Sequence, residues 1–178
     1  MSAVKKAKSP NPMTQPCIEK ITVNIGVGEA GDRLQKAESV LQSITNHKPV
    51  QTLSNVTSKD LGLRKRMPIG CKVTLRGEAA HSFLSQAFET RENKIAEYAF
   101  DDQGNFSFGI PDHTLFKNQK YNPDIGIFGM DVCITMKKPG YRIKKRRIQR
   151  RKIHSNHIIT REESMQYISS TFKAEVIQ

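Results

Sequence analysis

Three groups of residues in this chain have the types and spacing to do chemistry. The first is Gly26-Val27-Gly28-Glu29-Ala30-Gly31, a G-x-G-x-x-G run of the kind that lets a backbone close on a pyrophosphate. The second is His154-x-x-His157 together with Cys17, Cys71 and Cys133. These are nitrogen and sulfur donors for a metal, or thiols for nucleophilic attack. The third is Lys137–Lys152, reading KKPGYRIKKRRIQRRK, with ten bases and no acid. Such a run neutralises phosphates one base at a time.

Each group works only if the surrounding elements position it. A dinucleotide loop joins a strand buried on both faces to a helix N-terminus, and a carboxylate at the end of the next strand holds the ribose. Here Cys17–Ile25 alternates instead, with Ile21, Val23 and Ile25 on one face and Thr22 and Asn24 on the other. That is a half-buried strand. The next strand, Val50–Leu53, runs into Ser54 and Asn55, neither of them acidic. Glu29 and Asp32 also put negative charge where the pyrophosphate would lie. The glycines therefore read as a tight strand-to-helix link. A nucleotide-binding enzyme using Gly26–Gly31 is the alternative reading. The histidines have no further ligands nearby, no C-x-x-C occurs, and no Ser or Cys pairs with a His by spacing. Metal, cofactor and catalytic residues are therefore not expected, and the histidines read as part of a phosphate-facing surface. The basic run remains as the strongest signal.

The chain has 178 residues, 37% of them hydrophobic, and a net charge of +12. The length suits one domain, and the charge calls for a polyanionic partner. No stretch approaches the ~20 apolar residues of a membrane span. The first residues, with Lys5, Lys6, Lys8 and several prolines, lack the apolar centre of a secretory signal. Three scattered cysteines fit a reducing compartment. The charge is unevenly placed. Beside the ten-base run stand the tail lysines and the cluster Lys59, Arg64, Lys65, Arg66 and Lys72 against one acid, Asp60. The rest of the chain is mildly acidic. Ten neighbouring bases repel one another, so the run is expected not to pack on the body alone and to order on phosphate. Arg outnumbers Lys in Arg142–Lys152, which suits bidentate phosphate contacts. Tyr141 and Ile143 would supply stacking or anchoring.

The remaining elements follow from periodicity. Asp32 reads as an N-cap with Gln35 three residues on. Leu34, Ala37, Leu41 and Ile44 then mark a helix over Asp32–Asn46. Ser54–Pro68 is a polar, basic loop. Ile69–Arg76 alternates as a strand, and Ala80, Phe83, Leu84, Ala87 and Phe88 space a second helix. Asn105–Ile110 and Met130–Lys137 are further strands, separated by a loop over Pro111–Gly126. Thr160-x-x-Glu163 is a capping box opening a short helix with Met165, Ile168 and Phe172. Alternating strands predict an α+β fold: a mostly antiparallel sheet, helices packed on one face, a basic arm and a C-terminal helix. Residues 1–15 form a basic tail. Residues 16–178 form a single α+β domain with a protruding loop at 54–68 and the arm at 137–159. The uncovered face would show Thr22, Asn24, Lys72, Thr74, Arg76, Thr135 and Lys137.

Five segments in order carry a family resemblance: IEKITVNIGVGE (18–29), Lys48-Pro49, MPIGCKVTLR (67–76), GNFSFGI (104–110) and GIFGMDV (126–132). Through them nearly the whole chain resembles the ribosomal protein family that attaches 5S ribosomal RNA to the large subunit (L-five in bacterial naming, L-eleven in eukaryotic). The KPGYR arm and following helix look like the archaeal and eukaryotic branch, since bacterial members lack the arm. The resemblance implies a cytoplasmic protein of the central protuberance that binds 5S rRNA and nearby large-subunit rRNA. It implies a loop reaching P-site tRNA, an edge bridging to a small-subunit head protein, and neighbouring central-protuberance proteins. It implies no membrane partner and no homo-oligomer. Residue by residue, the family's RNA-contacting Asn in V-N-x-G matches Asn24, and the Thr in V-T-L-R matches Thr74. The family often has Gln before Lys-Pro; here His47 stands there and can donate one hydrogen bond. The expected rRNA-binding set is Asn24, His47, Lys72, Thr74, Arg76, Tyr141, Arg142, Lys144, Lys145, Arg146, Arg147, Arg150, Arg151 and Lys152. The expected tRNA-proximal loop, Asn55–Met67, carries Lys59, Arg64, Lys65 and Arg66. Asp101–Asp124 is the expected inter-subunit edge.

Overall fold

The computed structural model describes residues 11–117 and 119–177. The tail lysines Lys5, Lys6 and Lys8 lie outside the described residues. β1 (Cys17–Gly26) is the central strand of a five-stranded sheet. β2 (Val50–Leu53) and β3 (Pro68–Leu75) lie on one side of it. On the other side lie β6 (Met130–Lys137) and then β5 (Phe106–Ile110). Every pairing in this sheet is antiparallel.

Two-residue alternation explains why only one face is covered. Ile21, Val23, Ile25, Cys71, Val73, Leu75, Val132 and Ile134 are all nearly inaccessible. Their neighbours Lys72, Thr74, Asp131 and Cys133 are exposed. α1 (Asp32–Thr45) and α2 (Glu78–Thr90) close the apolar face. They bury Leu34, Ala37, Val40 and Leu41 from α1, and Ala80, Phe83, Leu84, Ala87 and Phe88 from α2. Each large apolar side chain so buried contributes roughly 1.5–3 kcal/mol. Phe88 is the hub. It stacks near Phe106 and Phe108 of β5 and meets Phe172 of α4 (Arg161–Phe172) edge-on at 5.3 Å. The capping box of α4 forms in both directions between Thr160 and Glu163.

Several details differ from the sequence reading. Asp32 is the first helical residue of α1 and not its cap. Gly31 takes the cap position at φ 120°, with no side-chain hydrogen bond. That backbone is open to glycine at little steric cost, and the Asp32 carboxylate acts on the positive helix end from inside the first turn. In β1 the register slips between Ile18 and Lys20. Glu19 is the extra residue of a β-bulge, and the phase change brings Ile18 into the core beside Ile21. A short parallel pair, β4 (Lys94–Ala96) with β7 (Glu175–Ile177), was not anticipated. Three residues per strand are too few to show a period.

The ten-base run also departs from its expectation at its start. Lys138 is buried, its ammonium 2.6 Å from Glu163 and within reach of the Ile158 carbonyl. An opposite charge at the bottom of the arm overcomes the repulsion that the base count alone implies. No helix among the described residues is long and apolar enough to cross a membrane.

Candidate nucleic-acid interface

The uncovered sheet face is organised in rows by strand register. One row places Lys72 of β3 opposite Asn24 of β1, and Asn24 opposite Asp131 of β6. The next places Thr74 opposite Thr22, then Cys133 and Ser107. A third pairs Lys20 with Thr135. Side chains directly opposed in this way stand about 5 Å apart at Cβ. Lys72, Thr74 and Arg76 are exposed, while Thr22, Asn24 and Thr135 are half-buried. These rows are thus a lattice of hydroxyls, amides and cations, with the Asp131 carboxylate beside Asn24.

The basic attachments sit at opposite ends of this lattice. Gly26, at one end of β1, pairs with Gly70 close to the loop. Cys17, at the other end, pairs with Lys137, where the arm departs. Ten residues of strand separate them by about 30 Å. The loop at 54–68 closes on itself. Ser54 N donates to Met67 O, Arg66 N to Ser54 O, and Ser58 and Leu63 exchange both backbone bonds. Lys59, Arg64, Lys65 and Arg66 are all exposed on this extension. His47 is exposed near the end of α1. Its Nδ1 donates to the Thr45 carbonyl at 2.7 Å, so the neutral ring offers an acceptor, not a donor, to solvent.

The arm is stitched at its base and open beyond it. The Tyr141 hydroxyl donates to His157 O and accepts from Ile159 N at 3.1 Å. His157 Nε2 donates to Pro139 O at 2.8 Å, and His154 Nδ1 accepts from Asn156 N. The two histidines and Tyr141 therefore help fold the arm's base. α3 (Arg142–Lys145) follows, and Arg151 N returns to Ile143 O. Arg146 Nε donates to Gln149 O. Arg142, Lys144, Lys145, Arg147, Arg150, Arg151 and Lys152 are exposed, and Arg146 is half-buried. Between arm and sheet lies a groove of about 820 Å³, walled by Glu19, Lys20 and Thr135 on the sheet side and by Lys144, Lys145 and Arg150–Lys152 on the arm. Glu19 pairs with Lys145 across it. Burial alone would push the Glu19 carboxyl up. The bonded Lys145 ammonium, with Lys137 and Lys20 nearby, holds it below the usual carboxylate range.

A family model described as ribosomal protein L5 matches residues 11–64, and the model for the C-terminus of the same ribosomal family matches residues 68–167. The large ribosomal subunit protein uL5 of Methanococcus aeolicus is 48% identical over 177 residues, covering 98% of each chain. That of Thermoplasma volcanium is 50% identical over 169 residues, covering 94% of this chain and 99% of its own. The chain belongs to the ribosomal protein L5 family.

Members of the L5 family are structural components of the large ribosomal subunit and not enzymes. The amides of Val27 and Gly28 in the glycine link both donate to Ile69 O, so they do not point at a ligand. β1 is antiparallel to both neighbours, which removes the parallel strand pair that a dinucleotide crevice requires. Burial pushes the Cys71 thiol up to about 11 and raises those of Cys17 and Cys133. All three are thiols and not reactive thiolates. Glu19 and Lys20, which line the groove beside the sheet face, are absent from the set expected from the sequence. Lys20 shares the parity of Thr22 and Asn24, so the alternation already contained it. Glu19 carried no signal, because a bulge is visible only once the partner strand is in place.

Proposed function

We propose that this large-subunit ribosomal protein binds 5S rRNA and fastens it to the large-subunit rRNA. In this reading the sheet face around Asn24, Lys72, Thr74 and Arg76 recognises the shape and hydroxyls of structured RNA, as expected where grooves cannot be read base by base. The arm neutralises phosphates where RNA segments meet. The loop carrying Lys59, Arg64, Lys65 and Arg66 reaches P-site tRNA. The edge at 101–124 meets a small-subunit head protein. The body at 16–178 acts as one unit. The observation that carries the reading is the layout: a polar sheet face about 30 Å long, with basic extensions at both ends, on a chain of the L5 family.

Salt-dependent binding to 5S rRNA tests it. The logarithm of affinity should fall linearly with the logarithm of salt, by roughly 0.7–0.9 per phosphate neutralised. Changing Arg147, Arg150, Arg151 and Lys152 together to Gln should flatten that slope by about 3 units. Lys138 is left in place because it is part of the packing. Asn24→Ala and Thr74→Ala should weaken binding with the melting temperature unchanged. Binding that is salt-independent, or variants that lose stability and affinity together, would overturn the assignment.

A further inference from the structure

Two bases of the arm have a carboxylate partner among the described residues, and the two pairs are built in opposite ways. In Lys138–Glu163 the base is sealed, at 5% side-chain exposure, and the acid is open, at 42%. In Lys145–Glu19 the acid is sealed, at 10%, and the base is open, at 57%. The first pair is a packing device. The second leaves an ammonium facing solvent, held from behind by a fixed carboxylate.

Glu19 is fixed because it is the bulged residue of β1. A regular strand would continue the inward parity of Ile21 and Val23 through position 19. The extra residue instead turns this carboxylate to the groove under the arm, where Lys20, Lys144, Arg150 and Arg151 also converge. Glu19 is the one carboxylate among the groove's lining residues, in the company of Lys20, Lys144, Lys145, Arg150, Arg151 and Lys152. A base still open to solvent can exchange its partner, because such pairs are individually weak.

We propose that Glu19 is a resident phosphate surrogate. In the free protein it holds Lys145, and with it the arm, against the sheet. When one strand of an RNA sugar-phosphate backbone enters the groove, a phosphate takes Lys145 over. This deepens the RNA-binding assignment above and rests on it. The occupant is an RNA backbone and not an acidic peptide, because the groove continues onto the hydroxyl- and cation-bearing sheet face through Lys20 and Thr135.

The test compares full-length wild type, Glu19→Gln, Lys145→Gln and the double variant for 5S rRNA binding across a salt series. Glu19→Gln should bind about 3- to 10-fold tighter in low salt, and its arm, still stitched at the base but released from the sheet, should be cut faster by trypsin. Lys145→Gln should flatten the salt slope by roughly 0.7–0.9. The double variant should match Lys145→Gln alone, since the carboxylate acts through that one base. If Glu19→Gln folds and binds equally or more weakly, the surrogate role is wrong. If Glu19→Gln does not fold, Lys145→Gln decides, because an unchanged slope means that Lys145 never meets a phosphate. Absence of salt-dependent binding by the wild type would instead overturn the RNA-binding assignment itself.

Discussion

Replacing Glu163 with Gln should cost more stability than replacing its partner Lys138 with Met. Glu163→Gln keeps the hydrogen-bonding shape of the α4 capping box, since Gln serves at that position as Glu does. It therefore isolates the charge. It leaves the Lys138 ammonium, 5% exposed, without a counter-charge and facing only neutral acceptors, the Gln amide oxygen and the Ile158 carbonyl at 3.4 Å. Loss of a charge-assisted bond costs about 1.5–3 kcal/mol, and breaking a fully buried pair about 3–5 kcal/mol. Glu163 is 42% exposed, so water already weakens the pair and the lower range applies. We expect about 2 kcal/mol, or roughly 4–8 °C in melting temperature for a chain of this size. Lys138→Met lets Glu163 return to water and puts an apolar chain in the same channel, for a cost under about 1 kcal/mol. Urea unfolding at neutral pH measures both, and hydrogen exchange at Ile158 and Ile159 shows whether the loss is local. If Lys138→Met costs as much as Glu163→Gln, the ammonium is not desolvated and the account of the arm's base fails.

The same pair fixes the sign of one pH effect. Burial acting alone would raise the Glu163 carboxyl, but Lys138 and the Thr160 amide bring it below the usual range. Its stabilisation is fully present above the unfolded value of about 4.3 and is lost as pH falls through the lower folded value. The gap between wild type and Glu163→Gln should therefore close in acid, and a gap that widens there would contradict it. Gly104→Ala should destabilise the fold by about 1–3 kcal/mol, since Gly104 has φ +71° and a Cβ there would lie 2.5 Å from Ile159 Cγ2 and 3.1 Å from Thr160 O. An unchanged urea midpoint would show that the return of the arm at Ile159 is free to move. Tyr141→Phe should cost about 1–3 kcal/mol by stranding the buried Ile159 amide. Its RNA affinity should hold in conditions where it stays folded, and a clear loss there would mean that the hydroxyl contacts RNA directly.

β1, β3, β5 and β6 were legible because each is half-buried and alternates, as Met130–Lys137 and Ile69–Leu75 show. The same alternation placed Asn24 and Thr74 together on one face before any pairing was known. What stayed hidden depends on partners distant in sequence. The Glu19 bulge exists only relative to β6, and the burial of Lys138 only relative to Glu163. The donor of His47 is spent on a carbonyl two residues away, at the end of α1, a local geometry that residue type does not encode. The capping box at Thr160 was readable, while the cap of α1 was not. A side-chain cap leaves a sequence signature, and a glycine cap resembles any other glycine in a loop.

The stitched base of the arm has a further consequence, in its reach. Contacts of Lys138, Pro139 and Tyr141 with His157, Ile158 and Ile159 fasten both ends of the intervening stretch. About 15 residues lie between the fastenings, and a chain that must go out and return extends by at most about half its contour, roughly 25 Å. The bases are thus confined to a fixed radius around one corner of the protein, unlike those of a free tail. A single backbone nick near Gln149 would leave both halves attached. Damage of that kind would change how far the charge extends without removing it from the molecule.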